Sequence, residues 1–242
     1  MVGINLVRLM RRARANKRVF ALGNGESRKN LDLNELYEFG IIYGCNGLYR
    51  DFQPDALVVV DPAMKEEIWE TDYLLENKAY FKDWSSESPI PRGEWGFKAT
   101  PAYLFLQLGA DDSPKLVINS NTVIKRKFPD DAHRTGYASG AASVLIACIE
   151  EGPEEVYLIG HDLYSITGKF NNIYKDTKNY LESLTDPTPP DNWIIQLKGN
   201  FNDFNTTQFY MVNSLKEKID DWVGVVNIHY ITLDEMWKRL NR

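Results

Sequence analysis

At 242 residues and 43% hydrophobic side chains, the chain is long enough to bury the core of one large domain. A net charge of −6 disfavours a general nucleic-acid-binding surface, though not a local basic groove. The longest apolar runs, "DALVVVD" and "ASVLIACI", fall far short of the roughly 20 residues that span a bilayer, and the first residues lack a signal-peptide pattern, so a soluble, cytoplasmic protein is expected.

In chain order, residues 1–17 form the basic N-terminal stretch, whose "RLMRRARANK" lies on a helix-like pattern and reads first as a solvated helix face and second as a contact for an anionic polymer or membrane surface. "RVFAL" predicts a strand, "LNELYEFG" a short helix and "IIYGCN" a second strand. "DALVVVD" has the unbroken apolar character of a strand buried on both faces, and Pro62 then suits the first turn of a helix over "PAMKEEIWE". "KAYFK" and "KLVIN" read as further strands, separated by a Pro/Gly/Ser-rich span over 85–100. "YASGAASVLIACIEEG" predicts an apolar helix with small residues on one side, and "EEVYLIGHDLY" a strand ending in a polar cluster.

Residues 165–200 form a long loop of the kind that serves as a lid or binding element. "NTTQFYMVNSLKEKIDDW" is then read as a helix and "GVVNIHYI" as a strand. A terminal helix follows over "TLDEMWKRL", with Thr232 as N-cap and Glu235 completing a capping box. The alternation predicts a single α/β domain over 1–242, a Rossmann-like three-layer sandwich around a mostly parallel sheet with a lid insertion.

Cys45 and Cys148 lie in apolar segments and read as small buried hydrophobes; His133, His161 and His229 share no ligand spacing with them, which argues against a structural zinc site. Ligands of such folds bind beyond the carboxyl ends of the strands, so "GNGES", "GCN", "DP" and "GHDLY" are expected to converge on one edge. There Gly23 and Gly25 would bring backbone close to a ligand, with the following helix start offering free N–H groups to a phosphate. The spacing satisfies neither the dinucleotide fingerprint nor the P-loop. Asn46 and Asp61 read equally as turn or capping residues, and Asp162 as a cap. Ser139 and Gly140 open the small-residue helix, where the glycine serves either ligand approach or helix–sheet packing.

"ALGNGES", "GCNGLY", "VVVDPAM", "ASGAASVLIAC" and "EEVYLIGHDLY", in that order, resemble the bacterial sialyltransferases that use CMP-sialic acid. The resemblance covers roughly 60% of the chain, from Val19 to Tyr164, and implies transfer of a sugar from a nucleotide donor to the hydroxyl of a glycan or other acceptor. It implies that Gly23, Asn24, Gly25, Ser27, Asn46, Ser139 and Gly140 line the nucleotide, that Asp162 meets its ribose or base, and that Tyr164 stands near the phosphate or reacting sugar. Two departures stand out. Asp61 replaces the family's Asn, and a carboxylate beside phosphates calls for a cation such as Mg²⁺. The family's histidine base has no counterpart in "KGNFNDFNTTQF", which leaves Asp203 as the candidate base, with His161 and His133 in reserve.

A weaker similarity, to the archaeal 6-hydroxymethyl-dihydropterin pyrophosphokinases, implies instead Mg²⁺ and ATP at Asp61. The chain is also similar in overall flavour to proteins of tailed-phage genomes, where a surface glycan or modified DNA would be the acceptor, the DNA disfavoured by the net charge. Trp84, Trp95 and Trp193 are candidate sugar-stacking platforms.

Overall fold

A computed structural model describes residues 18–82, 94–100, 105–108, 114–117, 123–127, 138–213 and 216–241. The basic N-terminal stretch, Trp84 and His133 lie outside them.

Seven short apolar segments build the parallel part of the sheet. Strand β1 (Arg18–Leu22) pairs in parallel with β2 (Ile41–Cys45) on one side and with β9 (Glu155–Ile159) on the other. The sheet continues outward through β3 (Ala56–Val59) and β4 (Ala79–Lys82) beyond β2, and through β10 (Gln208–Val212) and β11 (Ile228–Ile231) beyond β9, all parallel. Two further strands, β5 (Glu94–Thr100) and β8 (Val123–Lys127), add antiparallel pairings at the β4 edge. Among the described residues nine strands thus share one sheet, and β6 (Phe105–Leu108) pairs with β7 (Pro114–Val117) in a separate hairpin-like ladder.

Period-2 alternation within these strands divides two cores. Val19, Ala21, Ile41, Tyr43, Val58, Val156, Leu158 and Phe209 face a layer made by helices α3 (Ser139–Glu151) and α4 (Asp191–Asp203). Phe20, Leu22, Ile42, Leu57, Tyr157 and Tyr210 face α1 (Pro62–Trp69), α2 (Tyr73–Glu76) and α5 (Leu233–Leu240). The result is the three-layer α/β sandwich with a Rossmann-like strand order. No helix of the described residues is long and apolar enough to cross a membrane.

Local signals explain several boundaries. Asp61 and Pro62 start α1 as N-cap and first residue. Thr232 and Glu235 form the reciprocal capping box of α5. Gly152 ends α3 in the left-handed region at φ 54°, where its N–H donates to Cys148.

Three expectations change. Leu33–Glu38 is a 3-10 helix, not an α-helix. The stretch 205–222, read as a helix, holds β10 and a 3-10 turn at Asp220–Trp222, because "QFYMV" finds partners on both sides and buries both faces. The helix sits earlier, within the expected loop: Ile194, Leu197 and Phe201 supply the buried stripe of α4. The irregular segment therefore ends at residue 190, and β5 occupies the end of the span 85–100.

Candidate functional site

The chain leaves β1 toward β2 and returns on the opposite side through β9, so the strand order reverses between β1 and β9. Connecting loops on the two sides diverge there and leave a crevice beyond the carboxyl ends of the strands. The crevice is a cavity of about 450 Å³, within the roughly 300–1,000 Å³ typical of small-molecule sites.

Eight residues singled out from the sequence line it: Gly23, Asn24, Gly25, Asn46, Asp61, Ser139, Gly140 and Asp162. They come from five separate segments. His161 also lines it, as do Trp193, one of the three tryptophans expected to stack on a sugar, and Asn171 and Asn172 of the irregular segment. Ser27 and Tyr164 instead line an adjoining cavity. Trp95 falls in β5. Asp203 ends α4, ten residues beyond Trp193, or about 15 Å farther along a helix rising 1.5 Å per residue. It sits where Asn227 ties Phe201 and Phe204 to the start of β10, at the opposite edge of the sheet, and is not positioned to act as a base in this cavity.

Four of the five N–H groups of the 23–27 loop are turned to the protein and not to a ligand. Gly23 N–H donates to Ile159, Gly25 N–H to Gly160, Glu26 N–H to Asn171 Oδ1 and Ser27 N–H to Asp162 Oδ2. Both glycines are explained by neighbours within the protein. A Cβ at Gly23 would lie 2.3 Å from the Gly160 carbonyl oxygen, and one at Gly25 would lie 2.3 Å from Asp162 Cγ. The Asp162 carboxylate, bonded to Ser27 and to Asn171 Nδ2, clips the β1 and β9 loops to the irregular segment.

Beneath this loop lies a polar knot that the sequence did not announce. Arg28 is 5% exposed and donates to the Gly23 carbonyl, Asn24 Oδ1 and Tyr174 Oη, while Tyr174 donates onward to Asp51. Asn24 Nδ2 donates to the Cys45 carbonyl and to Tyr180 Oη, which also accepts from Gly47 N–H. The irregular segment is thereby tied into the floor of the crevice, and Ile173 N–H on the Asn24 carbonyl adds to the hold. Cys45, beside the knot, has its thiol pushed up to about 12 by burial, so it stays protonated and unreactive. Neither cysteine is bonded to another.

The open donors are elsewhere. The N-cap of α3 is Ala138, which supplies no capping side chain, and no hydrogen bond is described for the N–H groups of 139–141 at the cavity wall. Ser139 Oγ donates to Asn46 Oδ1 at 2.7 Å and accepts from Val60 N–H, which fixes the Asn46 side chain with its Nδ2 without a described partner. Asn46 itself is held at φ 46°, a left-handed conformation that asparagine tolerates better than most residues. Behind Gly140 stands His161, buried, with Nε2 lacking a partner; burial pushes its pKa down to about 4 against the opposing pull of Asp162. At neutral pH it is an uncharged wall of low basicity, ill suited to serve as a general base.

Asp61 Oδ1 caps α1, accepting from Ala63 and Met64, which leaves Oδ2 at the cavity mouth. Among the described residues no three His, Cys, Asp or Glu side chains cluster as a metal site. A divalent cation at Asp61 would therefore draw its remaining ligands from water and from phosphate oxygens. Compared with protein-family models, with curated proteins and with solved structures, the chain matches none.

Proposed function

We propose that this protein is a glycosyltransferase that takes a sugar of the sialic-acid type from a nucleotide donor, CMP-linked, and passes it to an acceptor hydroxyl. One observation carries the reading: amide-bearing and small residues from five distant segments meet at the switch point, beside the uncapped N-terminus of a 13-residue helix.

The assignment of parts follows from the chemistry of each group. Open N–H groups at 139–141, with the positive end of the helix dipole behind them, suit a phosphate, and such an interaction is worth up to about 2 kcal/mol in a partly buried setting. This matters because, among the described residues, no Lys or Arg lines the cavity. Asn46 Nδ2, immobilised by Ser139, suits a base or ribose oxygen, and Trp193 offers a flat apolar face to a ring. In the transfer, the acceptor oxygen bonds to the anomeric carbon as the bond from that carbon to the phosphate oxygen breaks. CMP leaves with the electron pair, and the hydroxyl proton goes to solvent or base.

A panel of CMP, CMP-sialic acid, UDP- and GDP-sugars and ATP, each with and without Mg²⁺, tests the reading by thermal unfolding. A ligand at 100 times its Kd adds about 2.7 kcal/mol to the folded state. Cytidine nucleotides are expected to raise Tm, and Asn46→Ala to abolish that rise while the protein stays folded. Stabilisation by ATP with Mg²⁺ alone would favour pyrophosphate transfer at Asp61 instead, and no response to any nucleotide would mean a scaffold that has lost the chemistry.

A further inference from the structure

A second cavity of about 500 Å³ opens on the far side of the His161–Asp162–Leu163 segment, beyond the ends of β9 and β10. Its character differs from the first. Leu31, Ile159, Met211, Val212, Ile219 and Leu233 make an apolar floor, and among the described residues no uncapped α-helix start faces it. At its rim Tyr164 is 51% exposed and Ile166 88% exposed, an unusual amount of bare apolar surface for two neighbouring loop residues.

Acidic groups outnumber basic ones around it, and of the charged residues that line it Glu26, Asp162 and Glu217 are acidic and Arg28 alone is basic among the described residues. Glu26 and Glu217 line the cavity; Glu26 is paired with Lys175 at 3.0 Å, while Glu217 is exposed. Asp220, Asp221 and Asp191 lie close enough that, after burial, their charges and that of Glu217 hold the Tyr164 hydroxyl above its usual range. Arg28 is committed to the knot, Lys175 to Glu26 and Lys216 to Glu235, while Lys218, next to Glu217 in the chain, is exposed. A phosphate or carboxylate entering here would meet unpaired negative charge over an apolar floor, whereas a neutral or cationic molecule with a hydrophobic part would not.

We propose that this cavity is the acceptor subsite, and that it selects neutral or cationic hydroxyl compounds bearing an apolar or aromatic group. The proposal rests on the glycosyltransferase reading. His161, Asp162, Leu163 and Asn171 line both cavities, so donor and acceptor adjoin along one shared wall. Division of labour by charge follows: the anion goes to the α3 N-terminus and the uncharged partner to the acidic, apolar side.

Phenyl β-D-galactoside, its 4-aminomethyl and 4-carboxy analogues and free galactose serve as probes, with binding followed by ligand-observed NMR and competition. The neutral and cationic aryl galactosides are expected to bind, free galactose at least tenfold more weakly, and the carboxy analogue not detectably. Ile166→Asp, a change at an exposed loop position, should weaken the phenyl compound about tenfold. Glu217→Lys should admit the carboxy analogue, and both variants should keep the full thermal response to CMP. Equal binding of the carboxy and neutral probes to the native protein, or binding indifferent to Ile166→Asp, overturns the inference. Loss of aryl galactoside binding with an intact CMP response removes the acceptor subsite and leaves the nucleotide reading standing. Aryl galactoside binding with no CMP response removes the nucleotide reading, and the acceptor role with it.

Discussion

Two clusters of backbone amides stand at the mouth of the crevice, and they have opposite fates. In the 23–27 loop, whose Gly-Asn-Gly run resembles an anion-binding turn, the N–H groups of Gly23, Gly25, Glu26 and Ser27 go to Ile159, Gly160, Asn171 and Asp162. At 139–141 a plain small-residue helix start, without a capping side chain, has N–H groups for which the described residues supply no acceptor. Glycine permits close approach, but the approaching atoms here belong to the protein: β1 and β9 are welded where the sheet changes direction. The weld holds the crevice in shape, and the helix end supplies its polarity.

The sharpest way to break this contrast is alanine at the two kinds of glycine. Gly23→Ala drives a Cβ to 2.3 Å from a backbone carbonyl, so it should cost about 3 kcal/mol or more, lowering Tm by roughly 6–12 °C for a chain of this size. Gly140→Ala meets only the His161 ring edge at 3.4 Å and should change Tm by less than about 2 °C. If Gly23→Ala proves as mild as Gly140→Ala, the weld is not tight.

Acid titration probes the wall behind Gly140. Because His161 has a folded pKa of about 4 against 6.5 for the free side chain, the unfolded chain binds the extra proton first. Its stabilising contribution is full above pH 6.5 and is lost as the pH falls from 6.5 toward 4, by about 3 kcal/mol at 1.36 kcal/mol per unit. Denaturant unfolding across that window should show the slope, and His161→Gln should flatten it. An unchanged slope in the variant would place the ring in solvent.

A smaller effect is expected at Asp61. Removing the α1 cap with Asp61→Ala should cost about 1 kcal/mol. It should also strengthen metal-free nucleotide binding by removing a carboxylate beside the phosphate, whereas weaker binding that only Mg²⁺ had supported would mark Asp61 as the cation's ligand.

Much of the frame was legible because inner parallel strands are short apolar runs bounded by turn residues, as "RVFAL" and "ALVV" are, and because Thr232, Pro62 and Gly152 punctuate helices by local chemistry. The convergence of Asn24, Asn46, Asp61, Ser139 and Asp162 on one cavity followed from parallel topology alone. Other features depend on partners distant in sequence. "QFYMV" reads as helix or strand until β9 and β11 flank it, and Gly199 and the preceding prolines mask the stripe of α4. The knot around Arg28 joins residues 146 positions apart, with no signature in either segment. Asp203 was placed near the chemistry by its position in the chain, and the direction of α4 carries it away.

Backbone amide NMR during titration with CMP tests the central claim most directly. The N–H resonances of Ser139, Gly140 and Ala141 should move strongly and saturably, while those of Gly23 and Gly25, already bonded across the weld, should move little. Large shifts confined to residues 23–27, with the start of α3 unmoved, would contradict it.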